Sequence, residues 1–164
     1  MNYTAAVITV SDKGFRGERV DTSGPAICAI AESYGLSVVY HTIVPDEAED
    51  IRRELVQCAD ERGISLILTT GGTGFSPRDC MPEATADVTE RAVPGIPEAM
   101  RYLSLQITPR AMLSRASAGI RKGTLIVNLP GSPKAVKECL EFILPALEHG
   151  LEILRGTANN CARQ

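Results

Sequence analysis

Between Thr69 and Thr85 the chain reads TTGGTGFSPRDCMPEAT, and this stretch concentrates the residues best suited to chemistry. Gly71, Gly72 and Gly74 lack the Cβ atoms that would keep a ligand from the backbone, so their N–H groups can converge on a phosphate. Arg78 offers a fork that fits a phosphate, whereas Asp79 repels an anion and implies a metal ion or a polar handle on the substrate. The apolar residues Ile64, Leu66, Ile67 and Leu68 predict a buried strand before the glycines, and Pro82 with Glu83 predicts a helix start after them. The loop is therefore a strand-to-helix turn with a helix dipole behind it. It is not a dinucleotide fingerprint, because Pro77 stands where G-x-G-x-x-G needs its third glycine, and no segment fits G-x-x-x-x-G-K-[ST].

The elements that must position this loop follow from periodicity. Ala5 to Val10 predicts a strand ending in Ser11-Asp12-Lys13-Gly14, and a helix from Pro25 puts Ile27, Ile30, Ala31 and Tyr34 on one face. Leu36 to Val44 predicts a second strand ending in Pro45-Asp46-Glu47, and Ile51, Leu55 and Cys58 mark the next helix, closed by Gly63. This alternation implies a parallel sheet with helices on its faces. Further on, a helix is expected from about Pro97 to Leu105, then a β-hairpin of Ala116–Ile120 and Thr124–Leu129 around Lys122-Gly123. From Pro133 a long amphipathic helix runs through Val136, Leu140, Leu144, Leu147 and Leu151, kinked or broken at Pro145; its leucines suit the core, with a subunit contact as the alternative. The fold class expected is α/β: three layers, a mostly parallel central sheet and a small β-hairpin extension. Four polar clusters, at 11–14, 45–47, 71–79 and 128–132, each follow a strand, so all should meet at the carboxyl ends of the sheet.

Composition narrows the partners. A chain of 164 residues with 44% hydrophobic content is one domain with a full core, expected over 1–156 with a flexible tail at 157–164. The net charge of −3 and the absence of Trp argue against a nucleic-acid surface. Five scattered cysteines without a C-x-x-C spacing indicate a reducing compartment, and Cys80 in the loop reads as a small filler. Two histidines, His41 and His149, are too few for an ordinary zinc site and read as surface or supporting residues. The N-terminus opens directly into a strand, without a signal peptide or a membrane-spanning run, which predicts a cytoplasmic protein.

The phrases SDKG, VPDE, TTGGTGFSPRD with PEAT, LSRASAGIR and NLPGSPKAV, in this order, resemble the molybdopterin adenylyltransferase family of the MogA/MoaB type, which includes the N-terminal domain of gephyrin. The resemblance spans nearly all of Ala5 to Leu154. It implies a trimeric enzyme that joins the phosphate of molybdopterin to AMP from ATP with the help of Mg²⁺, for a downstream molybdenum-insertion protein. It implies Asp46 and Asp79 as the catalytic, metal-holding pair. Substrate contacts are expected from Asp12, Gly71, Gly72, Thr73, Gly74, Arg78 and Glu83, from Ser114 and Arg115, and from Asn128, Gly131 and Ser132 on the opposite wall. Met81 stands where the family usually has threonine, so a non-catalytic storage or delivery protein is the alternative, and a gephyrin-like scaffold trimer a further one.

Overall fold

The structure, a computed structural model, describes residues 3–157. Its elements in order are β1 (Thr4–Val10), α1 (Asp12–Phe15), α2 (Ser23–Ser33), β2 (Ser37–Val44), α3 (Ala48–Val56), β3 (Leu66–Thr70), α4 (Met81–Val88), β4 (Arg91–Ala92), α5 (Gly95–Leu105), β5 (Ala118–Arg121), β6 (Thr124–Leu129) and α6 (Pro133–Leu154). A π turn at Gln57–Glu61 extends α3, and a 3₁₀ turn spans Pro109–Leu113. One six-stranded sheet has the order β2-β1-β3-β6-β5-β4. β2, β1, β3 and β6 are parallel, and the hairpin strand β5 and the short β4 continue the same sheet antiparallel. This is the expected α/β class.

Strand alternation divides the core into two layers. Ala5 and Val7 face α2 and α6, together with Leu66, Leu68, Val127 and Leu129. Ala6, Ile8 and Val10 face the other way, against Ile51 and Leu55 of α3 and Ala84 of α4, together with Ile67 and Ile126. The period of two thus buries both faces of the central strands. Each fully buried leucine or isoleucine contributes about 1.5–3 kcal/mol.

The long helix α6 continues through Pro145 without a break. Leu140, Ile143, Leu144, Leu147 and Leu151 on both sides of the proline are buried, and this packing offsets the one helical hydrogen bond that proline cannot make. Its leucines are core residues, not a free subunit face. Helix α2 starts at Ser23, two residues ahead of the proline, and the loop after β1 folds into the short helix α1, capped by Ser11 accepting from the Gly14 N–H at 3.0 Å. The tail expected at 157–164 lies, apart from Thr157, outside the described residues. Among the described residues no helix is long and apolar enough to cross a membrane.

Candidate active site

After β1 the chain adds β2 on one side and, after crossing back, β3 on the other, so the connections diverge between the carboxyl ends of β1 and β3. Such a switch point leaves a crevice for a ligand. Here it is a cleft of about 420 Å³, lined by Thr9 to Ser11 from β1 and by Thr70 and Gly71 from β3, and closed by Asp21, Ser23 and Gly131. Gly71 fits because it has no side chain: its φ is +94°, and a Cβ there would lie 2.2 Å from the Val10 carbonyl oxygen.

The two aspartates lie against the next glycines of the same loop. A Cβ on Gly74 would stand 2.9 Å from Asp79 Oδ2, and one on Gly72 would stand 3.5 Å from Asp46 Oδ1. The glycines make room for the carboxylates as well as for a ligand. Asp46 Oδ2 accepts the Asp12 N–H at 2.8 Å, and Asp12 Oδ1 accepts the Asp46 N–H at 3.0 Å, a reciprocal clasp between the ends of β1 and β2. Asp79 Oδ2 accepts the Ser76 N–H at 3.0 Å. Burial first, and then the charges of Asp12 and Asp79, push the Asp46 carboxyl above its ordinary range, against the Asp12 hydrogen bond that favours ionisation.

Arg78 does not hold its fork open for an anion. It donates to Asp12 through Nε at 3.1 Å and Nη2 at 3.0 Å, and Nη1 pairs with Glu47 at 2.8 Å. These hydrogen bonds hold the Asp12 carboxyl below its usual range. Three of its five N–H groups are thus engaged by carboxylates.

Arg115 shapes the loop. Its backbone N–H donates to the Thr73 carbonyl at 2.9 Å, Nε to the Gly74 carbonyl at 2.7 Å and Nη2 to the Asp79 carbonyl at 2.9 Å, while Nη1 pairs with Glu83. Arg115 and Glu83, expected as substrate contacts, are thus committed to the loop and to the start of α4. Thr73 is buried. Asn128 is also buried: Nδ2 donates to Thr69 and Thr85 Oγ1, and Oδ1 accepts from the Ser117 N–H and hydroxyl. It ties strands and α4 together, a correction to its place on the ligand wall. Ser114 lies instead at a second cavity of about 230 Å³, between α5, the 3₁₀ turn and α6. Gly131 does line the cleft, its carbonyl accepting the Ser23 hydroxyl at 2.8 Å. Ser132 is exposed at the start of α6 and makes no side-chain cap. Asp12, Asp46, Asp79, Gly71, Gly72 and Gly74 are therefore the expected residues that the fold brings together.

Comparison with known proteins fits this geometry. A model of the probable molybdopterin binding domain matches residues 6–149. The chain belongs to this family. A molybdopterin adenylyltransferase of Helicobacter pylori is 43% identical over 152 residues, covering 92% of this chain and 86% of that protein. Gephyrin of Dictyostelium discoideum is 44% identical over 162 residues, 93% of this chain but 22% of gephyrin. Among solved structures, the molybdopterin biosynthesis enzyme MoaB of Thermus thermophilus aligns with a TM-score of 0.89 at 49% identity, covering 94% of this chain and 97% of that one.

For a molybdopterin-binding domain the departure at Met81 has a plain structural reading. Met81 is the first residue of α4, fully buried in the core, with its N–H donating to the Gly72 carbonyl at 3.1 Å. The side chain packs inward and offers nothing to a ligand. Met81→Thr is expected to cost about 2–4 kcal/mol, through lost packing and a buried hydroxyl, without raising turnover; chemical denaturation and a rate assay check both. Cys80 beside it is a filler too, since burial first, and then the Asp46 charge, push its thiol up. Sequence reasoning missed Asp21 and Thr9 at the cleft. The signal available was Asp21-Thr22-Ser23 just before Pro25, a helix-start pattern whose acidic member points into a strand crossover.

Proposed function

We propose that this protein is a molybdopterin adenylyltransferase of molybdenum cofactor biosynthesis. The observation that carries the reading is the pair Asp46 and Asp79, lying beside Gly72 and Gly74 in the loop that continues from the cleft-lining Gly71. In the reaction an oxygen of the molybdopterin phosphate attacks the α-phosphorus of ATP, a new P–O–P link forms, and the bond from the α-phosphorus to the bridging oxygen breaks to release pyrophosphate. Two anions must meet, so the protein's work is positioning and charge neutralisation. The backbone of the glycine loop holds phosphate oxygens in line, and Arg115 keeps that backbone fixed. Asp46 and Asp79 would hold Mg²⁺. The donor set fits an ion carried in by ATP: among the described residues no three His, Cys, Asp or Glu side chains converge as a metal site, while two carboxylates with phosphate oxygens and water complete a magnesium shell. When bound, the ion neutralises the triphosphate and the leaving pyrophosphate.

The storage or delivery reading loses its support once Met81 is found in the core. We assign the protein to the cytoplasm and to a homotrimer, with the exposed Leu105, Ile107, Met112 and Leu113 as the apolar surface that such assembly would cover, and a molybdenum-inserting protein as recipient of the product. The test is to incubate the protein with molybdopterin, ATP and Mg²⁺. Adenylated molybdopterin by mass spectrometry, with pyrophosphate released only when molybdopterin is present, is the expected result. Pterin binding without either product would refute the assignment.

A further inference from the structure

We propose that Arg19, in the loop between α1 and α2, is a phosphate-binding residue of the reaction: its guanidinium is the cation that the cleft holds ready for a phosphate of ATP or of molybdopterin. The inference rests on the adenylyl-transfer reading above and supplies a positive charge that no carboxylate of the protein already neutralises.

The need for such a charge is electrostatic. Two anionic reactants must meet beside Asp46 and Asp79, and Asp21 adds a further carboxylate to the cleft wall. An arginine suits the task, because its planar fork matches two phosphate oxygens and it stays charged at any working pH. Arg78 and Arg115 are both paired with carboxylates, the first with Asp12 and Glu47, the second with Glu83. Among the described residues that line the cleft, Arg19 is the one cation.

The carboxylates nearest to Arg19 in the sequence are taken by other partners. Glu18 accepts from Arg16 at two points, Nε at 2.8 Å and Nη2 at 3.0 Å. Asp12 is held by Arg78 in the same two-point manner. Asp21 accepts the Gly24 N–H through Oδ1 at 2.9 Å and the Thr9 hydroxyl through Oδ2 at 2.7 Å, and its Oδ2 lies 3.3 Å from His41 Nε2. The Arg19 side chain makes no hydrogen bond or ion pair with the described residues. Its backbone is nevertheless fixed. The N–H groups of Glu18 and Arg19 both donate to the Lys13 carbonyl, at 2.8 and 3.3 Å, after Gly17 turns the chain with a φ of +73°. Arg19 thus combines a pinned backbone with an exposed, unpaired guanidinium, which can take a phosphate without giving up any ion pair.

The test uses the full chain as wild type, Arg19→Ala, Arg19→Lys and Arg91→Ala. Arg91 is exposed on β4, the edge strand at the far end of the sheet, so its replacement removes the same charge away from the cleft. Calorimetric titration with MgATP, adenosine and molybdopterin gives the affinities, pyrophosphate release gives kcat and both KM values, and melting curves verify folding. The expected result is that Arg19→Ala weakens one phosphorylated reactant about tenfold, less at higher salt, and leaves adenosine binding unchanged. Arg19→Lys recovers most of the loss and Arg91→Ala shows none. The contact is made before and during the reaction, so KM rises while kcat stays within about twofold. The reactant that weakens names the source of the phosphate. Wild-type affinity of Arg19→Ala for both reactants would overturn the proposal, as would an equal loss in Arg91→Ala, an equal loss for adenosine, or a wild type that binds neither reactant. A wild type that binds MgATP or molybdopterin through Arg19 yet releases no pyrophosphate would refute adenylyl transfer and leave the phosphate contact standing.

Discussion

Asp46→Asn is expected to lower adenylyl transfer by about 10²–10³-fold, the usual loss when a preorganised charge-stabilising group is removed from a site, while the melting temperature stays level or rises. The two effects share one cause. Burial and the charges of Asp12 and Asp79 raise the Asp46 pKa in the folded protein. The folded state therefore binds this proton more tightly than the unfolded chain does. Its stability falls as pH rises from the ordinary carboxylate range through the raised value, and the deficit persists above it. Asparagine keeps an acceptor for the Asp12 N–H and removes the charge, so at neutral pH the deficit disappears along with the function. For the wild type, activity requires the ionised form, which puts the acid limb of kcat/KM above the ordinary carboxylate range; saturating Mg²⁺ should move that limb to lower pH. Pyrophosphate release across a pH series, with and without excess Mg²⁺, and thermal melts of both proteins supply the check. Wild-type turnover in Asp46→Asn would remove this residue from the mechanism.

The large elements were legible because each is amphipathic in its own period. β1, β2, β3, β6, α3, α5 and α6 all lie within a few residues of their expected positions, and their order forces the parallel pairing. What escaped is short or depends on distant partners. α1, β4 and the 3₁₀ turn at Pro109–Leu113 are too brief to show a period, and β4 exists only because β5 offers Ile120 and Gly119 as partners.

The site was legible in its backbone and less so in its long side chains. Glycines and aspartates sit where strand ends put them, but Arg78 and Arg115 reach several acceptors, and their choice of Asp12, Glu47 and the loop carbonyls is decided by packing. Asn128 is different: alternation along β6 puts Ile126 and Asn128 on the face opposite Val127 and Leu129, so its burial beside Thr85 of α4 follows from a period of two. Proximity to NLPGSP in the sequence outweighed that signal.

Gly71→Ala carries the largest expected cost to stability, about 2–5 kcal/mol. One part is backbone strain, since φ of +94° is unfavourable for any residue with a Cβ. The other is overpacking against a group that cannot yield, because the Cβ would lie 2.2 Å from the Val10 carbonyl oxygen, and Val10 is fixed in β1 by pairing with Val44. For a chain of this size the loss corresponds to a fall in melting temperature of roughly 5–15 °C. The backbone must retreat from β1, which opens the joint between the cleft and the aspartate pair, so turnover should fall further than the unfolded fraction explains. Gly131→Ala is the internal control: it faces the same cleft, has no positive φ, and its Cβ would make ordinary contact at 3.8 Å. Its melting temperature should stay within a few degrees of wild type. If Gly71→Ala melts and turns over like the wild type, the close approach of β3 to β1 does not set the geometry of the site.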